Sequence, residues 1–385
     1  MGLPIIIPPP DYVSIVLDFA GVGDLDITAR ILRADPIHEY MDDDNSEFRV
    51  SEWSCEIDNS DDYLATYNWW RGAATEVNVV IRYGSSNDII WVGTGPAQVF
   101  NSANNTLVFT FKHEFEQISN YSFGPTSAPW DEVWPLQIIM NGIWNPIFSP
   151  GVALTEYLID LTGFNMGDPL ESTYTWNEFS VEFPYWQNSE LDGLVMMGDF
   201  LRLFGAVLVN RPGRVYRIID RRSLLAQSPV DVSDDLLGAI TEERWDKQRK
   251  KLRITTTAHT GPGNPGDGLQ YITGYKGDST ANLNNLITIE ANMMYNVSAR
   301  INLPPPDDIR WTPGVLLAEW IYETMYEPWY KPGSAQTQMS FTLAGLSWYP
   351  GDAVQWGANF WVLIEETEKD LGNRKTRCTG LKVIV

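Results

Sequence analysis

Val77-Asn78-Val79-Val80-Ile81-Arg82-Tyr83, then Gly84-Ser85-Ser86-Asn87-Asp88, then Ile89-Ile90-Trp91-Val92-Gly93 is the stretch on which the fold class turns. The outer runs are rich in β-branched and aromatic residues, and the five residues between them are Gly and polar. That is the pattern of a β-hairpin. The texture continues outward from it. Residues 12–19 and 26–32 read as short strands before it, and 107–111 follows as another after the turn Asn101-Ser102-Ala103-Asn104-Asn105. Strands at this spacing, with hardly a helical period, predict a small barrel or sandwich in the first 125 residues.

The composition shifts at 125–150, where Pro129-Trp130, Trp134-Pro135 and Trp144-Asn145-Pro146 crowd together. Proline fixes the chain and tryptophan favours burial, so this stretch reads as an ordered connection. Helical spacing follows: Leu154, Tyr157, Leu158 and Leu161 fall at i, i+3, i+4 and i+7 before Gly163. Leu194, Met197, Leu201 and Phe204 form a second such face, with Asp192 as its expected cap. Ala206-Val207-Leu208-Val209 and the run 214–219, either side of Asn210-Arg211-Pro212-Gly213, predict a hairpin. Strands return from about residue 241, at 251–257, 286–294, 336–343, 354–356, 360–365 and 376–385. One helix is expected near 313–326, with Pro313 in the first-turn place that proline favours. The chain therefore reads as β-rich, then α/β, then β-rich again, a multi-domain α+β class. Residue identities show no repeat.

The 385 residues include 50 acids against 27 Lys and Arg, a net charge of −23, yet 44% are hydrophobic and 16 are Trp. Such a chain buries a core and is not a disordered acidic tail. Its charge argues against binding nucleic acid through phosphate neutralisation and against docking on an anionic membrane. Cys55 and Cys378 are far apart and outside any CxxC motif, which excludes a thiolate zinc site; two buried thiols are favoured over a bridge. Met1-Gly2-Leu3-Pro4 has no basic stretch, and Ile5-Ile6-Ile7 is cut off by Pro8-Pro9-Pro10, so no export signal is expected. No run of 18 apolar residues suggests a membrane helix.

Catalytic templates fail one after another. His38, His113 and His259 lie in separate segments, and HExxH, GxSxG and GxxxxGK[ST] are all absent. The Gly- and Pro-rich loop 261–268 has no Lys to make a phosphate cradle. Asp42-Asp43-Asp44-Asn45-Ser46-Glu47 invites a calcium reading, but Glu47 stands where an EF-hand needs Gly, and a solvated acidic loop is favoured. A glycosidase pair of carboxylates is neither located nor excluded among so many acids. No catalytic, metal or cofactor residue is assigned, and an enzyme is not expected.

Two charged stretches stand out. Residues 35–62 hold eleven Asp and Glu, among them Asp42, Asp43, Asp44, Asp58, Asp61 and Asp62, against Arg49 alone among Lys and Arg. A block of that kind repels itself unless something uses its field. In 244–253, six of ten residues are basic: Arg244, Lys247, Arg249, Lys250, Lys251 and Arg253. Nucleic-acid binding is the sharp reading of such a run, but in so acidic a chain contact with an acidic surface on a neighbouring subunit is preferred to it, with a solvated face as the competing reading.

The order of these elements resembles the tail-tip or baseplate hub proteins of tailed bacteriophages. The resemblance rests on Ser51-Glu52-Trp53-Ser54-Cys55-Glu56-Ile57-Asp58-Asn59, on 77–83, and on Ile90-Trp91-Val92-Gly93-Thr94-Gly95. It continues through Gly198-Asp199-Phe200-Leu201-Arg202-Leu203-Phe204-Gly205 and its following hairpin, then 341–356 with the turn Pro350-Gly351-Asp352, and the closing hairpin 360–365 and 375–385. The resemblance covers nearly the whole chain in element order, through short motifs. It implies two small tail-tube-like β-barrel domains, at 1–125 and 241–385, flanking a 126–240 span of Trp/Pro-rich connection and α/β insert.

The resemblance further implies a virion protein of the tail tip, made in the host cytoplasm. Three copies would form a ring joining a sixfold tail tube to a threefold tip and lining the DNA channel, without a cofactor, and Asp42, Asp43, Asp44, Asp58, Asp61 and Asp62 would then be candidates to face the lumen or a subunit boundary. Its implied partners are itself, the tail tube or distal-tail ring, tail-tip or fibre proteins, and passing DNA. A hexameric distal-tail ring, a host glycan-binding tail protein and a glycan hydrolase are the alternatives.

Overall fold

Alternating burial turns the apolar patterning into sheet faces. The structure, a computed structural model, describes residues 12–19, 23–41, 51–61, 76–101, 105–116, 122–123, 134–135, 154–158, 180–182, 191–192, 201, 206–245, 251–259, 269–277, 286–295 and 336–384. The first strands are β1 (Val13–Phe19), β2 (Gly23–Asp26), β3 (Ile31–Ala34), β4 (Ile37–Tyr40), β5 (Glu52–Asp58), β6 (Glu76–Tyr83), β7 (Asp88–Asn101) and β8 (Thr106–His113). On β5 the side chains of Trp53, Cys55 and Ile57 point inward, and on β6 those of Val77, Val79 and Ile81 do so. With Ile15, Leu17, Phe109 and Phe111 they line one face, the main core.

Seven strands join in the order β2-β1-β6-β7-β8-β5-β3, all antiparallel to their neighbours. The edges β2 and β3 are consecutive in the chain and run the same way. Only Ile27 and the 3-10 turn Thr28–Arg30 separate them. Laid flat, such a sheet would be about 29 Å across from edge to edge. The chain from Asp26 to Ile31 reaches at most about 18 Å, so the sheet curls strongly.

The seam is stitched by local bonds. Ile27 N–H donates to Ile15 O at 2.9 Å, Ile15 N–H donates to Thr28 Oγ1 at 2.7 Å, and Arg30 holds both Asp61 oxygens at 2.8 Å. The β-rich class expected here is what forms, as a strongly curled sheet and not as a closed barrel. Among the described residues no ladder closes on itself, because the 3-10 turn breaks one strand direction into two halves serving opposite edges.

The middle of the chain supplies β9 (Ser122–Phe123), β10 (Trp134–Pro135), β11 (Leu154–Leu158), β12 (Ser180–Glu182), β13 (Leu191–Asp192), β14 (Ala206–Arg211), β15 (Val215–Asp220) and the short helix α1 (Arg221–Leu225). The hairpin β14–β15 forms as its sequence suggests, with Gly213 and Arg214 at positive φ in the turn. The helix expected from Leu154 onward is not formed over 154–158. This segment is β11, laid parallel to β15, and tertiary pairing overrides helical spacing. At the start of the second expected helix, Leu191 and Asp192 pair with β9 as a strand. Leu201 is helical and buried, and most of that helix lies outside the described residues.

The remainder is β16 (Val230–Asp231), β17 (Thr241–Trp245), β18 (Lys251–His259), β19 (Leu269–Gly277), β20 (Leu286–Tyr295), β21 (Gln336–Ala344), β22 (Ala353–Gly357), β23 (Phe360–Asp370) and β24 (Lys375–Ile384). Strands β18, β19 and β20 join β12 and β10 in a five-stranded sheet. The helix expected near 313–326 lies outside the described residues. The other strands form a second large sheet, β16-β22-β23-β24-β21-β17, with β4 added beside β23.

This second sheet repeats the plan of the first. Strands β2, β3, β5, β6, β7 and β8 correspond to β16, β17, β21, β22, β23 and β24 in chain order, in place and in relative direction. Only β1 has no counterpart, so β16 runs directly beside β22, and parallel to it. The edges β16 and β17 are again consecutive in the chain. The link between them is fixed by Val232 N–H to Gln355 O at 2.9 Å and Leu237 N–H to Thr342 O at 2.8 Å. Chain topology thus carries a duplication that residue identity does not.

Candidate functional site

The two large sheets meet along β23. Its first half pairs with β22 and its second half with β4, on the same side. The changeover is marked by Gly351 N–H to Ile364 O at 2.7 Å and Met41 N–H to Glu365 O at 2.7 Å. The turn Pro350-Gly351-Asp352 sits at this point. Gly351 has φ +87, and a Cβ there would meet Val209 Cγ1 at 3.0 Å, so glycine suits both the turn and the hairpin packed on it.

The alternation of β4 and β23 puts two charges inside. Ile37 and Glu39 face inward on β4, and Thr367 and Lys369 do so on β23. Thr367 stands opposite Glu39 and Lys369 diagonal to it, so the carboxylate and ammonium form a buried ion pair. Asn210 of β14 donates from Nδ2 to Glu39 Oε1 at 2.9 Å, and the Tyr349 ring lies 3.5 Å (to its centroid) from Lys369 Nζ. Burial pushes the Lys369 pKa down, while Glu39 opposes that shift.

Two further anchors hold the hairpin tip. Arg211 pairs with Asp352 at 3.0 Å and donates to Pro350 O at 3.3 Å. Burial raises the Asp352 carboxyl pKa, against the pull of Arg211. On the other side Gly213 N–H donates to Ile89 O at 2.9 Å, and Arg214 grips Glu114, which also accepts from the Tyr216 hydroxyl. His113 lies beneath, edge-on to Trp91 and Tyr216. The junction is thus a polar lock in which one hairpin ties the first sheet to the second. A cavity of about 40 Å3 beside Ser51, His113 and Asn210 has room for a water-sized molecule only, whereas a small-molecule site typically offers roughly 300–1,000 Å3.

Of the residues singled out by sequence, Pro350, Gly351 and Asp352 belong to this junction. Asp58 and Asp61 lie at the seam of the first sheet, where Asp58 Oδ1 accepts from Ser60 N–H at 2.9 Å and Asp61 binds Arg30. Arg244 lies on β17, and Lys251 and Arg253 lie on β18. Asp42, Asp43, Asp44, Asp62, Lys247, Arg249 and Lys250 lie outside the described residues. Among the described residues no group of three His, Cys, Asp or Glu is placed to hold a metal ion. Nor is any described helix long and apolar enough to cross a membrane.

Glu39, Asn210, Glu114 and Lys369 were not singled out by sequence as a site. A signal existed for two of them, since Glu39 and Lys369 each occupy the inward phase of an alternating strand.

No protein-family model and no curated protein matches the chain. The crystal structure of a 43 kDa tail protein of prophage MuSo2 from Shewanella oneidensis is similar over 96% of this chain and 98% of that one, with a TM-score of 0.50 and 12% identity. The likeness is one of fold. A chain of the virion of a native gene transfer agent aligns over 91% of this chain and 84% of its own, at 11% identity and a TM-score of 0.39.

Proposed function

We propose that this chain is a structural protein of a bacteriophage-type tail tip, a hub that works as a ring of three copies. The duplicated strand plan is the observation that carries this reading. A chain with two like sheets supplies six like modules from three copies, so it can match sixfold and threefold neighbours at once. A hexamer would present twelve, and the duplication therefore favours the trimer over a hexameric distal-tail ring. The end-to-end fold likeness to a prophage tail protein supports the tail assignment.

The lock between the sheets suits this role, because a ring that sets symmetry needs its two modules held at a fixed angle. The acidic surface acquires a purpose in the same reading. A negative channel wall repels DNA phosphates within about 8 Å at physiological salt and lets the genome pass without sticking. The partners are then further copies of the chain, the tail tube or distal-tail ring above, and tip or fibre proteins below. No catalytic step belongs to this reading.

The mass of the purified assembly in solution, at low and high salt, tests it. The expected result is three times the 43.6 kDa chain. A stable hexamer would transfer the assignment to a tube-like ring, and a monomer at every concentration would count against the hub.

A further inference from the structure

Asn210 and Lys369 meet at one carboxylate. The Asn210 amide donates to Glu39 Oε1 at 2.9 Å, while the Lys369 ammonium is paired with Glu39 Oε2. The Lys369 side chain is fully buried and that of Glu39 is 8% exposed. Thr367 Oγ1 donates to Glu39 Oε2 at 3.5 Å, and the Tyr349 ring packs against the amine. An amine, a carboxamide and a proton-accepting carboxylate are thus gathered in a low-dielectric pocket, on three strands distant in sequence. Burial also lowers the Lys369 pKa, which favours its neutral, nucleophilic form.

We propose that Lys369 and Asn210 react to form an intramolecular isopeptide bond, with Glu39 carrying the proton. The ammonium of Lys369 first gives a proton to Glu39, leaving a neutral amine and a carboxylic acid. Nζ then attacks Asn210 Cγ, and the carbonyl electron pair moves to Oδ1. Glu39 delivers its proton to Nδ2 and takes a second one from Nζ. The Cγ–Nδ2 bond breaks, the carbonyl re-forms, and ammonia leaves. Of the three Nζ protons, one stays on the new amide, one departs with ammonia and one ends on Glu39, so the charge of the ion pair is cancelled. No oxidant or co-substrate is required. The product joins β14 to β23 covalently and makes the lock between hairpin and second sheet permanent.

Intact-mass measurement of the folded, then denatured, full-length chain tests this, with proteolytic mapping of the product. The expected mass is one ammonia below that of the sequence, with a branched peptide linking the Asn210 segment to the Lys369 segment. Glu39→Gln and Lys369→Arg chains are expected to keep the full mass. If either variant fails to fold, the wild-type measurement still decides. A wild-type chain of full mass would overturn the proposal. So would an ammonia loss mapped elsewhere, such as a succinimide at Asn141-Gly142.

Discussion

Arg214 grips both carboxylate oxygens of Glu114, with Nε at 3.0 and 2.8 Å and Nη2 on the second oxygen as well. Glu114 is fully buried at the end of β8, while Arg214 sits at φ 62 in the turn of the β14–β15 hairpin. The pair therefore ties the hairpin to the first sheet and holds a non-glycine residue in left-handed backbone. Glu114→Ala removes the acceptor for both Arg214 and Tyr216. Breaking a buried pair from one side costs about 3 kcal/mol, and here somewhat less because a third of the Arg214 side chain meets water. Arg214→Gly should cost about 1 kcal/mol less than Arg214→Ala, since glycine takes this φ freely. Urea unfolding of the three variants checks both statements. A Glu114→Ala chain as stable as the parent would show that the pair contributes nothing.

The first sheet was legible because burial alternates along β5 and β6, and the Val77–Gly93 hairpin forms in the expected place with a turn of Gly and polar residues. The second helix face and the calcium-like loop fall on or run into segments outside the described residues. The failure at Leu154 is instructive. Leu154, Tyr157 and Leu158 keep helical spacing, but over 154–158 the parallel ladder with β15 wins, since propensity is a weak prior that tertiary pairing overrides. The two β-rich ends were legible as like domains from the order of element types, but the strand-by-strand correspondence was not, because strand order and direction leave no mark on residue identity. The polar lock was hidden for a related reason: Glu39 and Asn210 are 171 positions apart, and only the pairing of β4 with β23 brings Glu39 there.

Gly380 on β24 faces a bulge in β23 between Ile364 and Glu366. A Cβ at Gly380 would lie 2.2 Å from Leu363 O and 2.9 Å from Val362 Cγ1. Because the obstacle is backbone, Gly380→Ala must push two paired strands apart. A loss of about 3 kcal/mol or more is expected, beyond ordinary overpacking. Gly238→Ala is the control, with φ +77 and nothing within 4 Å of its Cβ, and should cost only about 1–2 kcal/mol. Thermal or urea unfolding of the two variants side by side should separate them clearly. Equal losses would mean that the bulge yields.

Cys55 and Cys378 are both free and both buried, in the cores of the first and second large sheets. Burial pushes the Cys55 thiol up to about 12, with Asp35 adding to the shift, and burial likewise raises Cys378. Both are therefore protonated at neutral pH and shielded from reagents. A disulfide-exchange thiol probe at pH 8 should label neither in the native chain, and both in denaturant. Fast labelling of one cysteine in the native chain would show that its sheet opens locally.

His113 is expected to give the fold a marked acid sensitivity. Its Nδ1 accepts the Phe115 N–H at 3.2 Å, which requires the neutral ring, and its faces are enclosed by Trp91, Phe115 and Tyr216. Burial, then Arg214 and Lys369, lowers its pKa from 6.5 to about 3. The unfolded chain takes up this proton near pH 6.5, whereas the native chain does not until about pH 3. The contribution is therefore complete above 6.5 and is lost progressively as pH falls towards 3, at about 1.4 kcal/mol per pH unit. His113→Phe keeps the aromatic contacts and removes the titration. It should be less stable than the parent at pH 7, because Phe115 N–H loses its acceptor, yet lose less stability between pH 7 and pH 5. Urea midpoints of both chains at the two values measure the difference. Parallel pH dependences would mean that the native ring accepts the proton after all, through an opening of the junction that the closed packing around His113 does not show.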